Sequence, residues 1–163
     1  TVYASIAGVG FDALIAREVA KTQTRGFQPY LKLVLQHYPH YQQQNYTLVI
    51  DGKEITTQAL FISFANSKQF GFNTEIAPNA ELNDGLIDIV IVKKPPLPLL
   101  FWTAQLLFFR KFDKSIYVET YQAKHVVVKN MDKMSINLDG EYVELNGDLD
   151  FSIVPKSLKV IIP

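Results

Sequence analysis

The stretch INLDGEYVEL, Ile136 to Leu145, sets an Asp-Gly pair between two runs in which apolar and polar residues alternate. That arrangement is the strongest short-range signal for a β-hairpin. A near twin lies upstream in LVIDGKEI, Leu48 to Ile55, and a third Asp-Gly in AELNDGLIDI, Ala80 to Ile89. Asp139 and Glu141 also put two carboxylates two residues apart, a spacing usable in acid–base chemistry. Local rules alone treat Asp51 and Asp139 as the same object, a turn residue.

Working outward from these turns, period two dominates from Tyr46 onward. YTLVI and KEITT read as strands joined at Asp51-Gly52, and ALFISFA as a third. LIDIVIV is a near-continuous β-branched run, the mark of a buried strand. SIYVET, AKHVVVK, KMSINL, YVEL, LDFSIV and LKVII continue the series. Residues 66–84, punctuated by Gly71, Pro78 and Asp84-Gly85, read as an irregular loop. Before this β-rich part, residues 2–7 read as a strand broken by Gly8 and Gly10. Helical spacing follows in FDALIAREVAK and, after Gly26–Pro29, in YLKLVLQHY, which Pro39 ends. About ten strands and three helices are expected, with strands grouped rather than alternating with helices. That predicts a mostly β, α+β fold with two packed sheets, a two-layer β-sandwich.

Composition narrows the function. The 163 residues, 48% hydrophobic and 20% charged, suit one globular domain with a real core. Sixteen Lys+Arg balance sixteen Asp+Glu, so charge makes no case for nucleic acid. With no cysteine, disulfides, thiol catalysis and Cys-based metal sites are excluded. No uncharged apolar run reaches bilayer-spanning length, and no secretory leader is seen, so a cytoplasmic location is expected.

Several motifs have competing readings. Gly8-Val9-Gly10-Phe11-Asp12-Ala13 satisfies G-x-G-x-x-A, but a second helix follows where a dinucleotide fold needs a parallel strand ending in an acid. The glycines then serve a tight strand-to-helix turn. There is no phosphate loop and no G-x-S-x-G elbow. His37, His40 and His125 lack metal-ligand spacing. PPLPLLFWTAQLLFFRKF, residues 95–112, has almost no polar face. It reads either as a buried core helix or as one that borders a lipid site or a membrane surface, Trp102 with Arg110 and Lys111 suiting an interface. Asn83-Asp84-Gly85 reads as a turn, or as part of a hard-cation site built from one carboxylate and loop carbonyls.

GVGFDA (8–13), ANSKQFGF (65–72), IAPNAELNDGLIDIVIV (76–92), LDGE (138–141) and PKSLKVIIP (155–163), in this order, resemble the carboxy-terminal domain of the diacylglycerol kinase and sphingosine kinase family, in its bacterial soluble lipid-kinase branch. The resemblance covers essentially the whole chain. It implies that residues 1–163 are the second, β-sandwich domain of a two-domain lipid kinase. The amino-terminal ATP-binding domain lies outside this chain, so the isolated chain is expected to be inactive. It implies Asp139 as general base towards a lipid hydroxyl with Glu141 in support. It also implies a structural metal loop at Glu81, Asp84 and Leu86, and lipid contacts at Phe11, Asp12, Phe70, Phe72 and Trp102. ATP and Mg²⁺ are the implied cofactors. The implied partners are the lipid, the nucleotide-binding domain and transiently the inner membrane face, with a homodimer open. Phe70-Gly71-Phe72 departs from the Gly-Gly-Gly of many relatives, so lipid preference does not transfer. The alternative is a lipid- or partner-binding β-sandwich without chemistry.

Overall fold

The computed structural model describes residues 1–22, 26–130, 133–155 and 157. In chain order the elements are β1 (Ile6–Gly10), α1 (Phe11–Lys21), α2 (Phe27–His37), β2 (Gln44–Ile50), β3 (Lys53–Ala59), β4 (Phe61–Ala65), β5 (Gln69–Gly71), β6 (Thr74–Glu75), β7 (Ile87–Val92), α3 (Leu97–Phe108), β8 (Val118–Ala123), β9 (His125–Lys129), β10 (Lys133–Leu138), β11 (Glu141–Asn146) and β12 (Leu149–Ser152).

Two antiparallel sheets form the sandwich. The larger has the order β11-β10-β1-β4-β7-β8, the smaller β12-β9-β2-β3, and β5–β6 is a separate small hairpin. Alternation along each strand decides the faces. Val9, Ile62, Phe64, Ile89 and Ile136 from the larger sheet meet Leu48, Val126, Val128 and Phe151 from the smaller in one core. Phe64 and Phe151 stack across it with ring centroids 4.1 Å apart. The opposite set of the larger sheet, including Ile6, Ala65, Val90 and Val92, faces outward under Ile76, Ala77, Ala80 and Phe112. The helices α1 and α2 form a third cluster through Phe11, Ile15 and Tyr38, to which Leu100 of α3 adds.

Several expectations change, among them the start of α2, which begins at Phe27 and takes in Pro29 instead of following it. The first strand covers residues 6–10 rather than 2–7, and Gly8 sits inside it, paired with Asn137 on one side and Ser63 on the other. A glycine suits that position because a Cβ at Gly8 would lie 2.0 Å from Asp12 Oδ2 and displace that carboxylate. Gly10 does end the strand, at φ 87°, where a Cβ would meet the Leu60 carbonyl and the Tyr46 hydroxyl, each at 2.7 Å. The expected loop at 66–84 contains the β5–β6 hairpin. The apolar helix stops at Phe108, and it is not a core helix: only Thr103 is buried. Phe101, Trp102 and Phe109 are each about two-thirds exposed. LDFSIV is a strand only to Ser152, and the expected strand LKVII lies outside the described residues.

Strand β1 has antiparallel neighbours on both sides, and the chain leaves α1 for α2 and then the other sheet. The G-x-G-x-x-A match therefore has no parallel βαβ unit around it.

Candidate functional site

The β10–β11 turn takes positive φ at both central residues, 51° at Asp139 and 93° at Gly140. Asp tolerates that region and Gly enters it freely, which explains the residue pair. The Asp139 carboxylate faces the chain just before β1. Oδ2 accepts from Ala4 N–H at 2.6 Å, and Oδ1 accepts from Ser5 and Ile6 N–H, each at 2.9 Å. Residues 65–67 grip the same segment from the other side. Asn66 Nδ2 donates to the Ala4 carbonyl and Asn66 N–H to the Ser5 carbonyl, both at 2.9 Å, and the Ser5 and Ser67 hydroxyls lie 2.6 Å apart. Two of the stretches behind the resemblance, ANSKQFGF and LDGE, thus converge on residues 4–6. Glu141, two residues on, is exposed, and its carboxylate pairs with no other described residue.

The twin turn behaves alike. Asp51 sits at φ 45°, and its carboxylate accepts from Lys124 N–H at 3.1 and 3.3 Å and from His125 N–H at 3.0 Å. In the third turn, Asp84 Oδ1 accepts from Leu86 N–H at 2.9 Å. All three Asp-Gly aspartates hold backbone N–H groups.

What sets the Asp139 turn apart is its neighbour on the outer face of the larger sheet. Asp12, in the first turn of α1, is 95% buried over Gly8. Its Oδ2 accepts from Asn137 Nδ2 at 2.9 Å, and Asn137 Oδ1 accepts from Gly140 N–H at 2.8 Å. Burial pushes the Asp12 carboxyl up to about 6, opposed only in part by the Asn137 bond. Tyr30 of α2 is raised by its own burial and then by the Asp12 charge. Ser63, cross-strand from Gly8, is fully buried with no partner for its hydroxyl.

Four of the five expected lipid contacts gather on this side. Phe11 meets the Tyr38 and Tyr41 rings at 6.0 and 5.1 Å. Phe61, packed against the Phe11 cluster, stacks on Phe70 at 6.4 Å. Phe72 meets Phe27 at 5.4 Å and Tyr30 at 5.9 Å. Asp12 is the polar end of this aromatic compartment. Trp102 is not brought in; it projects from α3 against Phe101. Its outer rings, Phe72 and Phe27, are about half exposed. Two surface clefts lie elsewhere, one of about 390 Å³ beside Asp88 and Asp113 and one of about 400 Å³ beside Lys94 and Pro96.

The loop of Glu81, Asp84 and Leu86 offers one side-chain carboxylate plus carbonyls. Among the described residues no three His, Asp or Glu side chains are grouped to hold a metal. Two observations still suit a hard cation. Asp88 Oδ2 is buried without a partner. Its carboxyl is raised by burial and then, after a Gln122 bond that lowers it, by the charges of Asp84 and Glu81. An all-oxygen donor set with uncompensated negative charge fits Mg²⁺ or Ca²⁺.

Asn137, Ser63, Tyr30 and Asp88 were not singled out from the sequence. Asn137 occupies a regular polar position of INL, and nothing local distinguishes it; only the register opposite Gly8 gives it meaning.

An antiparallel sandwich of a six- and a four-stranded sheet, with helices over the outer face of the larger sheet and an Asp-anchored turn beside them, defines a β-sandwich domain. The chain belongs to the YegS C-terminal NAD kinase beta sandwich-like domain family, whose profile matches residues 5–162. It is 26% identical over 163 residues to the Diacylglycerol kinase of Mycobacterium tuberculosis (strain ATCC 25618 / H37Rv), which is 99% of this chain and 52% of that protein. The Diacylglycerol kinase of Bacillus subtilis (strain 168) is 29% identical over 92 residues, 56% of this chain and 30% of that protein. A solved structure of a diacylglycerol kinase from Bacillus anthracis str. Sterne superposes with TM-score 0.54 at 12% identity, covering 90% of this chain and 45% of that one. Another from the same organism, provisionally named a diacylglycerol kinase, gives TM-score 0.65 at 18% identity, covering 92% of this chain and 50% of that one. The chain spans about half the length of the curated relatives it matches.

Proposed function

We propose that this chain is the lipid-facing half of an ATP-dependent lipid kinase that phosphorylates a hydroxyl of a diacylglycerol- or sphingosine-like lipid. The observation that carries the reading is the placement of the Asp139-Gly140-Glu141 turn next to a buried acid, Asp12, at the edge of an aromatic compartment. That is an arrangement able to hold a lipid by its apolar body and present its hydroxyl to a carboxylate. The names and matched halves of the relatives support it. A nucleotide-binding domain would supply most of the ATP site from outside these residues, and the isolated chain would be inactive.

In this reading Phe11, Phe61, Phe70 and Phe72 contact the acyl chain, and Asp12 faces the polar head. Trp102 and its exposed neighbours on α3 meet the bilayer that delivers the lipid, at the inner face of the membrane. Asp139 takes the proton from the lipid hydroxyl, and Glu141 supports it. ATP with Mg²⁺ supplies the transferable phosphoryl group and neutralises its charge. A separate cation held by Asp84 with the Glu81 and Leu86 carbonyls would brace the loop before β7 rather than react.

One observation favours a second assignment within the turn. A carboxylate has about four lone-pair directions, and three of Asp139's are taken by backbone N–H groups, whereas the Glu141 carboxylate has no partner among the described residues. Asp139 is then the anchor and Glu141 the base. Transfer of labelled phosphate from ATP to diacylglycerol and to sphingosine, by the longer protein that contains this chain and by its D139N and E141Q variants, separates the two. Loss in folded D139N with E141Q active supports Asp139 as base. Loss in E141Q with D139N active but less stable supports Glu141. No transfer by the unaltered protein leaves the lipid- or partner-binding module.

A further inference from the structure

We infer that Asn137 is a positioning residue for the proposed transfer site, its carboxamide tying buried Asp12 to the turn that carries Asp139 and Glu141. The inference rests on the kinase reading only for the use to which the turn is put.

The carboxamide is planar, with a donor end and an acceptor end. Its donor end meets Asp12 Oδ2 at 2.9 Å, and its acceptor end meets Gly140 N–H at 2.8 Å. Rotating the amide by half a turn would set oxygen against carboxylate oxygen and NH₂ against N–H, so both contacts would become repulsive. Asp12 cannot move aside to relieve this. It is 95% buried, and the backbone of Gly8 lies beneath it with no room for a methyl group between them. The turn itself needs left-handed backbone at two successive residues, Asp139 and Gly140, and has few other ways to close. Asn137 therefore selects one turn conformation from the outer face, while residues 4–6 hold the Asp139 carboxylate from the other direction. Whichever carboxylate takes the proton, its place is set through this amide. A displacement of about 1 Å at a reacting group costs on the order of a hundredfold in rate.

The test exchanges the two ends of the bond. N137D keeps an acceptor for Gly140 N–H but turns a second carboxylate towards Asp12. In D12N/N137D the donor and acceptor are swapped, and the bond can reform in the opposite sense. Hydrogen–deuterium exchange at the Gly140 amide is read on this chain. The kcat and KM for lipid phosphorylation are read on the longer protein that contains it. N137D is expected to speed Gly140 exchange about tenfold or more and to lower kcat about tenfold with KM nearly unchanged. The swap is expected to restore both the exchange rate and kcat, with KM altered because Asp12 itself is gone. Should N137D not fold by circular dichroism, N137A, which lacks both bonds, replaces it. Unchanged exchange in N137D, or fast exchange persisting in a folded swap variant, overturns the coupling. Altered exchange with unaltered kcat in an active enzyme overturns the positioning role. An unaltered protein that transfers no phosphate sinks the kinase reading instead, and the exchange arm still decides whether Asn137 couples Asp12 to the turn.

Discussion

Asp139 and Ile6 are bonded in both directions: Asp139 Oδ1 accepts from Ile6 N–H at 2.9 Å, and Asp139 N–H donates to the Ile6 carbonyl at 2.9 Å. With Ala4 and Ser5 added, one carboxylate holds three consecutive amides. D139N keeps the left-handed turn, because Asn tolerates that backbone, but it sets an NH₂ group against an N–H donor. Thermal unfolding of this chain should show D139N several degrees below the unaltered protein, from a loss of about 1–2 kcal/mol. D139A, which also loses the tolerance for positive φ, should fall further. Equal melting temperatures would mean that the three bonds carry no stability.

Gly8 and Asp12 occupy one volume. G8A places a methyl group 2.0 Å from Asp12 Oδ2 but 3.4 Å from Asp12 Cβ, an ordinary contact. Alone, G8A should cost about 1–3 kcal/mol in urea unfolding. In a D12A background it should cost little, giving a coupling of similar size in the double-mutant cycle. Additive losses would show that the two residues do not compete for space.

Asp12 should impose a pH slope on stability. Its folded value, about 6, lies above the 3.8 of the unfolded chain, so the folded state binds more protons between them. Stability therefore falls as pH rises from about 4 through 6. The two-unit difference corresponds to about 3 kcal/mol once the group is ionised. D12N removes this contribution. The difference in unfolding free energy between D12N and the unaltered protein should change in favour of D12N across that window, other groups cancelling. A flat difference would place the Asp12 carboxyl in its ordinary range.

The exposed side chains of α3 make a membrane prediction. Trp102 is the single tryptophan, so its fluorescence reports on this helix alone. Phe101, Phe108 and Phe109 are exposed beside it, and Lys111 and Lys114 follow. Vesicles rich in phosphatidylglycerol should shift the Trp102 emission to the blue. F101S/F109S should weaken vesicle binding about tenfold or more, since each buried Phe is worth roughly 1.5–3 kcal/mol. An emission maximum indifferent to vesicles would remove α3 from the docking surface.

A cation in the Asp84 loop should register as stability. At a hundredfold excess over its dissociation constant a ligand adds about 2.7 kcal/mol, so Mg²⁺ or Ca²⁺ should raise the melting temperature of this chain and not that of D84A. Equal curves with and without the ion, in chelated and loaded samples, would reduce Asp84-Gly85 to a turn.

Much of the sandwich is legible in alternation and Asp-Gly turns, because both are local: β2–β3 and β10–β11 follow from pairs of runs joined by two residues. Strand β1 is less so. Its two glycines look like breaks until the cross-strand register is known, and Gly8 owes its identity to a carboxylate four residues later folding back over it. The helix α3 shows why a uniformly apolar segment is ambiguous. Its composition states that one environment is nonpolar and leaves open whether protein or lipid provides it. For the site, the residues at the turn could be named, but local rules could not rank Asp139 above Asp51, and in the folded chain both aspartates clamp backbone amides. The distinguishing feature, Asp12 bonded through Asn137 to Gly140, joins positions 125 residues apart. No window of sequence contains it.

The same separation bears on how the chain acquires its fold. Ile6 meets Asp139 across 133 residues, and β1 lies between β4 and β10 in the larger sheet. During synthesis one edge of β1 can zip to β4 early, while its other edge must wait for β10 to emerge. Such late, long-range closure is slow, and until it happens an unpaired strand edge beside an exposed apolar helix is available to other chains. The clamp at residues 4–6 is thus the last stitch in the sheet, and a chaperone that shields β1 would be most useful in that interval.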